Sequence, residues 1–129
     1  MAEIYLNYAE AKAELGEITQ GDLDVSVNKI RARAKMPDLN LGAANDSPDP
    51  YLSSVETGYT NVTGANKGVI LEIRRERTIE LVLESQNRWW DLMRWKEGAC
   101  IGQKMEGIYI PADKIGKAYD VNGDGNADI

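Results

Sequence analysis

The stretch KGVILEIRRERTIELVLESQNRWWDLMRW, residues 67–95, decides how this chain folds. Wound at 3.6 residues per turn, its first part is apolar on more than one side: Ile70, Ile73 and Leu81 share a face, while Leu71, Ile79 and Val82 lie elsewhere. A helix apolar nearly all round belongs in an interior, so residues 67–85 are expected as a buried helix. Its charges, Glu72, Arg74, Arg75, Glu76, Arg77, Glu80 and Glu84, then need close partners, because an isolated buried charge is costly. Arg77 stands three and seven positions before Glu80 and Glu84, so interior ion pairs are expected there.

The second part carries all three tryptophans, Trp89, Trp90 and Trp95, in a chain without phenylalanine or histidine. Two readings compete: a flat surface for stacking a ligand, or the hub of a helical core. At 100° per residue Trp90 lies about 100° from Trp89, and Trp95 about 120° away on the other side. Rings that fan out make no common platform, and stacking needs rings on one side. Most of the cluster is therefore read as core, with each indole N–H seeking an acceptor and Asp91 and Arg94 pairing on the remaining side. One end of the arc stays open, where a single indole at the helix edge can reach solvent and offer a face to a sugar ring.

Working outward, residues 2–15 are rich in Ala, Glu and Leu, with Ile4, Tyr8, Ala11 and Leu15 on one stripe and Gly16 as the stop. A second helix is expected over 22–35, with Leu23, Val27, Ile30 and Ala34 on its stripe and Met36-Pro37 ending it. The short linker makes the two antiparallel neighbours. Ala9 and Ala13 on one helix, and Ala32 and Ala34 on the other, allow close approach. The unit resembles one tetratricopeptide-type hairpin, although the chain shows no second copy of that period. Residues 37–66 are dense in Asn, Asp, Ser, Gly and Pro and read as a long loop. Within it, Tyr51 and Tyr59, beside Asp49, Asn61 and Asn66, either tack the loop down, which is the plainer reading, or offer contacts to a sugar. Past residue 97 the glycines at 98 and 102 signal irregular chain, with a short strand expected at GIYIP, residues 107–111. The expected fold class is mostly α: about four helices in two hairpins, 2–36 and 67–97, a loop at 37–66 and an extended, irregular tail at 98–129, all in a single region.

Composition narrows function. The net charge is −6 and 28% of the 129 residues are charged. That field repels phosphate backbones and anionic headgroups, so nucleic acid is not an expected partner. The single cysteine, Cys100, closes no disulfide within one copy, and without histidine there is no Ser-His or Cys-His pair and no zinc constellation. Catalysis would rest on carboxylates alone, yet Glu72, Glu80, Glu84 and Asp91 each have an arginine three or four positions away and read as ion pairs. No enzymatic activity and no catalytic residues are expected. No apolar run is long enough for a membrane span, and no export signal opens the chain. Met1 falls directly into a helical pattern, as it would in a piece of a longer protein.

The sequence DVNGDGNADI, residues 120–129, sets oxygen ligands at Asp120, Asn122, Asp124 and Asp128, with the Asn126 carbonyl between the last two and Gly125 at the tight turn. This is the spacing of the first nine positions of an EF-hand-like loop, so calcium, in a structural role, is the candidate ion. The twelfth position, which would supply a bidentate acid, lies beyond residue 129. The alternative is an Asx- and Gly-rich turn that binds no metal.

The blocks YLNYAEAKAELGE (5–17), VNKIRARAKMP (27–37), IRRERTIELVLESQNRWWDLMRWKEG (73–98) and GIYIP followed by DVNGDGNAD are collinear with, and resemble, the carboxy-terminal part of the SusD/RagB family. The resemblance implies a surface lipoprotein of Bacteroidetes outer membranes that binds glycans or other nutrients and sits as a lid on a SusC-type TonB-dependent transporter. It implies contact with the membrane only through a lipid anchor that this chain does not carry, and a SusD-like helical fold of which this chain is a part. It assigns no ligand-binding residue here, because the family's glycan contacts lie largely outside this segment. The alternative is a helical scaffold or adaptor whose tail is stabilised by calcium.

Overall fold

The computed structural model describes residues 1–84, 87–102, 111–116, 120 and 125–126. Seven α-helices stand in the order α1 (Ala2–Glu14), α2 (Gln20–Asp24), α3 (Val27–Arg33), α4 (Leu41–Asp46), α5 (Pro50–Ser53), α6 (Lys67–Glu80) and α7 (Asn87–Trp95). Two 3-10 turns follow, at Gly98–Ile101 and Ala112–Lys114, and no strand occurs among the described residues. The mostly α fold class expected from the sequence is thus what forms. GIYIP lies outside the described residues except for Pro111.

The long helix α6 is the axis, and α1 is its main partner. Leu6, Ala9 and Ala13 of α1 meet Val69, Ile70, Leu71 and Ile73 of α6, all buried in one cluster with Leu23, Val27, Ile30, Leu92 and Trp95. Here the expected stripe of α1 is overturned: Ile4 is 64% and Leu15 71% exposed, and Tyr8 is exposed as well. The small side chains Ala9 and Ala13 lie on the other face. They let the α6 backbone come close, so the narrow face wins over the one with the larger apolar residues. Gly16 ends α1 as expected, at φ +77, with Glu17 N–H donating to Lys12 O at 3.0 Å and Gly16 N–H to Ala13 O at 3.1 Å, the paired bonds of a left-handed cap.

The helix expected over 22–35 is two helices. Ser26, fully buried, donates its hydroxyl to Asp22 O at 2.5 Å, and its backbone leaves helical values at φ −127, ψ −93. A hydroxyl that competes for the carbonyl four residues back bends or interrupts a helix. Leu23, Val27 and Ile30 are buried as the stripe required, but Ala32 and Ala34 are exposed and make no close approach.

The segment 37–66 is more ordered than a loop, because buried amides hold it. Asn28 takes Leu39 N–H at 2.7 Å on its Oδ1 and returns Nδ2 to Leu39 O at 3.2 Å, and Gln20 Oε1 takes Leu41 N–H at 2.8 Å. Asn40 caps α4 through Ala43 N–H at 2.9 Å, and Asp49 caps α5 through Tyr51 N–H at 2.8 Å, with Pro50 in the first turn. Asn45 of α4 then caps α6 from outside, accepting Val69 N–H at 2.9 Å. Gly68 makes that approach possible: a Cβ there would lie 1.8 Å from Ala44 O. Leu52, Tyr59 and Val62 are buried, so Tyr59 tacks the segment down, whereas Tyr51 is exposed.

The helix expected over 67–85 ends at Glu80, and the all-round burial expected of it fails at that end, since Ile79 and, in the turn beyond, Val82 and Leu83 are exposed. No described helix is long and apolar enough to cross a membrane.

Candidate functional site

Where α1, α6 and α7 converge, three buried charges and the half-exposed Arg94 sit together. Arg77 of α6 grips Asp91 of α7 with both Nε and Nη2 at 2.9 Å, and its Nη1 donates to Asn7 Oδ1 at 2.6 Å. Arg94 holds Glu10 of α1 with two bonds, at 2.5 and 2.6 Å, and returns to Asp91 at 2.8 Å. Glu10 also accepts the Trp95 indole N–H at 2.6 Å. Glu10, Arg77 and Asp91 are buried. Two carboxylates and two guanidiniums neutralise one another, and bidentate geometry fills the fork of each arginine. The Arg94 guanidinium is held still more firmly in its charged form by the hydrogen bonds it donates to Glu10, with Asp91 adding to them against the cost of burial.

Interior ion pairs were expected and are present, but with other partners. Arg77 pairs with Asp91 and Glu10 rather than with Glu80 or Glu84, and Glu80 takes Arg33 of α3 at 2.5 Å. Asp91 and Arg94 do pair as expected, with the carboxylate buried and the guanidinium half exposed. Sequence held one signal for this: Glu10 and Arg74 have no oppositely charged residue three or four positions away on their own helices, so their partners had to come from elsewhere in the fold.

A second buried arginine lies behind this group. Arg74 stacks over the Trp95 ring at 4.6 Å and the Tyr59 ring at 5.5 Å, while the two rings meet edge to face at 5.6 Å. Its Nη2 reaches Glu14 at 3.2 Å and its Nη1 lies 3.7 Å from the buried Glu97. Among the described residues Arg74 Nε and Nη1 have no hydrogen-bond acceptor, and the two ring faces supply an electrostatic contact instead. Glu97 accepts Asn61 N–H at 2.7 Å, and Asn61 Nδ2 donates to Lys96 O at 2.9 Å at the end of α7.

The tryptophan block divides. Trp95 is the core hub with its indole N–H satisfied, but Trp89 is 52% and Trp90 61% exposed, so the core reading holds for one ring of three. The reason is the charge quartet: α7 turns Asp91, Leu92 and Trp95 inward, which forces Trp89 and Trp90 to the outer face. Between α1 and α7 this leaves a groove of about 500 Å³ whose floor is the quartet and whose walls include Asn7, Asn87, Glu3 and Trp90. Amides, carboxylates and one exposed indole beside a groove can hydrogen-bond to hydroxyls and lie against a ring. Sequence reasoning left that open for a tryptophan at the helix edge and missed Asn7 and Asn87, which carry no pattern of their own.

Of the loop residues assigned to a metal, Asp120 and Asn126 are described, while Asn122, Asp124 and Asp128 lie outside the described residues. Asp120 Oδ2 accepts Gly125 N–H at 2.7 Å, and Gly125 sits at φ +87, the left-handed region that glycine occupies without strain. Among the described residues no group of three or more acids or thiols is close enough to hold a metal ion.

The model of the SusD family matches residues 1–128, which is nearly the whole chain. No curated protein and no solved structure matches it. The chain therefore belongs to the SusD family, whose members are nutrient-binding, non-catalytic proteins typically associated with the outer membrane.

Proposed function

We propose that this chain is the helical, non-enzymatic part of a glycan- or nutrient-binding component of an outer-membrane uptake complex, exposed at the cell surface and working with a SusC-like TonB-dependent transporter. The observation that carries this reading is the family match over residues 1–128. The groove between α1 and α7 supports it, because it sets the exposed Trp90 beside Asn7, Asn87 and Glu3 on a floor made rigid by ion pairs. Rigid polar groups next to an indole suit a neutral sugar, whose hydroxyls need fixed donors and acceptors and whose ring needs an apolar face. The quartet below is neutralised internally, so its acids hold arginines rather than act on a bond. Calorimetric titration of the chain with a panel of neutral oligosaccharides tests this. Binding of at least one, weakened tenfold or more by Trp90→Ala with an unchanged melt, is the expected result. Binding of a member that ignores Trp90→Ala would move the site elsewhere, and no binding by any member would remove the groove from the reading.

The acidic loop at 120–128 is proposed as a structural calcium clip with Asp120, Asn122, Asp124, Asn126 and Asp128 as its oxygen ligands. Its support is the spacing together with the Asp120 to Gly125 N–H bond, which curls the first turn of such a loop.

A further inference from the structure

On the other side of α6 from the groove, a second cavity of about 240 Å³ opens between α5, α6, α7 and the 3-10 turn at Gly98–Ile101. Tyr51 and Leu52, Ile79, Tyr59, Arg88 and Cys100 line it. Its walls are mainly apolar or aromatic, and its polar groups are Thr57, Thr78, the Arg75 guanidinium, which Asp49 and Glu72 hold, and the Arg88 guanidinium. That guanidinium is unlike any other in the described chain. Arg31, Arg33, Arg74, Arg75, Arg77 and Arg94 each have a carboxylate within 4 Å, as expected where acids outnumber bases by 21 to 15. Arg88 has none among the described residues, although Glu84 and Asp91 stand four before it and three after it on the sequence. Asp91 is turned inward to Arg77 and Arg94. Arg88 instead donates Nη1 to the hydroxyls of Tyr59 at 2.8 Å and Thr78 at 2.9 Å, and its Nη2 lies 3.8 Å from Cys100 Sγ.

All of these acceptors are neutral. They fix Nη1 and the plane of the guanidinium, whose charge meets the Tyr59 ring at 5.6 Å but no carboxylate among the described residues, and they leave Nε and most of Nη2 available to an incoming acceptor. A guanidinium held by neutral hydroxyls beside a mainly apolar cavity is suited to a carboxylate carried on a body that prefers apolar walls. The volume is below the ~300–1,000 Å³ usual for drug-sized ligands, so the body is limited to about one ring.

We propose that this cavity is a binding site for a small carboxylate on a six-membered ring, with the carboxylate on Arg88 and the ring between Tyr51, Leu52 and Ile79. A uronate sugar and an aromatic acid share that chemistry. The assignment stands apart from the uptake reading and from the neutral-sugar groove, so either can fail without the other.

Cys100 provides the readout, because it is the one cysteine of the chain, is part-buried and lines the cavity. Its thiolate displaces iodide from iodoacetamide, forming one C–S bond as the C–I bond breaks, with the thiol proton lost to solvent, so the labelling rate reports access to the cavity. D-glucuronate, benzoate, D-glucose and benzamide are titrated against that rate and in parallel by calorimetry. Saturable protection by glucuronate or benzoate, with at least tenfold weaker protection by the matching neutral compound, is expected, and the acid that protects identifies the ring. Arg88→Gln should lower the affinity of the acid tenfold or more, and Arg88→Lys should lose less because it keeps the charge without the fork. Ile79→Trp, which fills the cavity from an exposed position and leaves Arg88 in place, should also abolish protection. The proposal is overturned if neither acid protects or binds, if the neutral compounds protect equally, or if Arg88→Gln and Ile79→Trp, both still melting cooperatively, bind the acid as the parent does.

Discussion

Glu10 and Arg33 each make an ion pair between helices, and their surroundings give the two pairs very different weights. Glu10 is buried, accepts two bonds from Arg94 and one from the Trp95 indole, and lies 3.4 Å from Arg77 Nε, so Glu10→Ala leaves the buried Arg77 and the half-exposed Arg94 short of a counter-charge. Removing one partner of a buried network typically costs about 3–5 kcal/mol. Arg33 is largely exposed although it holds Glu80 at 2.5 Å, and exposed pairs contribute about 0.2–1 kcal/mol. Urea unfolding should therefore show a large loss of stability in Glu10→Ala and a small one in Arg33→Ala, and equal losses would contradict the quartet as drawn. A pH effect belongs to this scale too. The Tyr8 hydroxyl, and after it the Thr19 side chain and N–H, hold the Asp22 carboxyl down at about 2 from its ordinary 3.8. A depressed acid contributes stability that is fully present above the unfolded value and is lost as pH falls, here between about 3.8 and 2. Tyr8→Phe removes the main cause, so its urea midpoint should fall less steeply than the parent's across that window. Indistinguishable slopes would take the bond between α1 and α2 out of the account.

Helices meet in this fold where side chains are small or absent, and α4 against α6 shows it most sharply. Exchanging an exposed helical glycine for alanine usually stabilises by about 0.4–1 kcal/mol through the unfolded chain. Gly21 in α2 fits that rule, since its new Cβ would meet only Thr19 Oγ1 at an ordinary 3.7 Å. Gly68 in α6 breaks it, because the Cβ would overlap the Ala44 carbonyl, and separating the helices would also undo the Asn45 cap on Val69 N–H. Gly21→Ala should raise the melting temperature. Gly68→Ala should lower it, at a cost of at least the ~1–3 kcal/mol of an overpacked contact. A stabilised Gly68→Ala would mean that α4 does not sit on α6 at this point. The same contrast explains what was legible beforehand. The existence and type of α1, α6 and α7 followed from periodicity and composition, as did the stop at Gly16. The buried face of α1 did not, because Leu6, Ala9 and Ala13 compete with a stripe of larger residues and only the presence of α6 selects between them. The break at Ser26 and the trans cap from Asn45 were likewise invisible, since each depends on a carbonyl or N–H whose partner is fixed by tertiary packing.

Across the whole molecule, charge is arranged so that helices from both ends of the sequence are locked together: Glu10 of α1 meets Arg94 of α7, and Glu14 of α1 meets Arg74 of α6. This is why the tryptophan block could be read only in part. Angular spacing separated the three rings correctly, but which ring turned inward depended on where Asp91 found its arginines. After α7 the buried Glu97 continues this pairing with Arg74, and a bound cation at 120–128 would pin the chain further on. Calcium bound to the folded chain stabilises it by RT ln(1 + [L]/Kd), and loops of extracellular type bind in the range of about 10⁻⁴ to 10⁻³ M. At about 10 mM calcium that is roughly 1.4–2.7 kcal/mol, or a rise in melting temperature of roughly 3–15 °C for a chain of this size. Circular dichroism melts in calcium and in excess chelator should differ by such an amount, and Asp120→Ala should abolish the difference, because Asp120 would lose both its place as a ligand and the Gly125 N–H bond that curls the turn. Magnesium at the same concentration should give a smaller rise, since it tolerates only near-ideal octahedral oxygen sites. Identical melts in calcium and chelator would leave the loop as a hydrogen-bonded turn, with Gly125 there for its backbone angle alone.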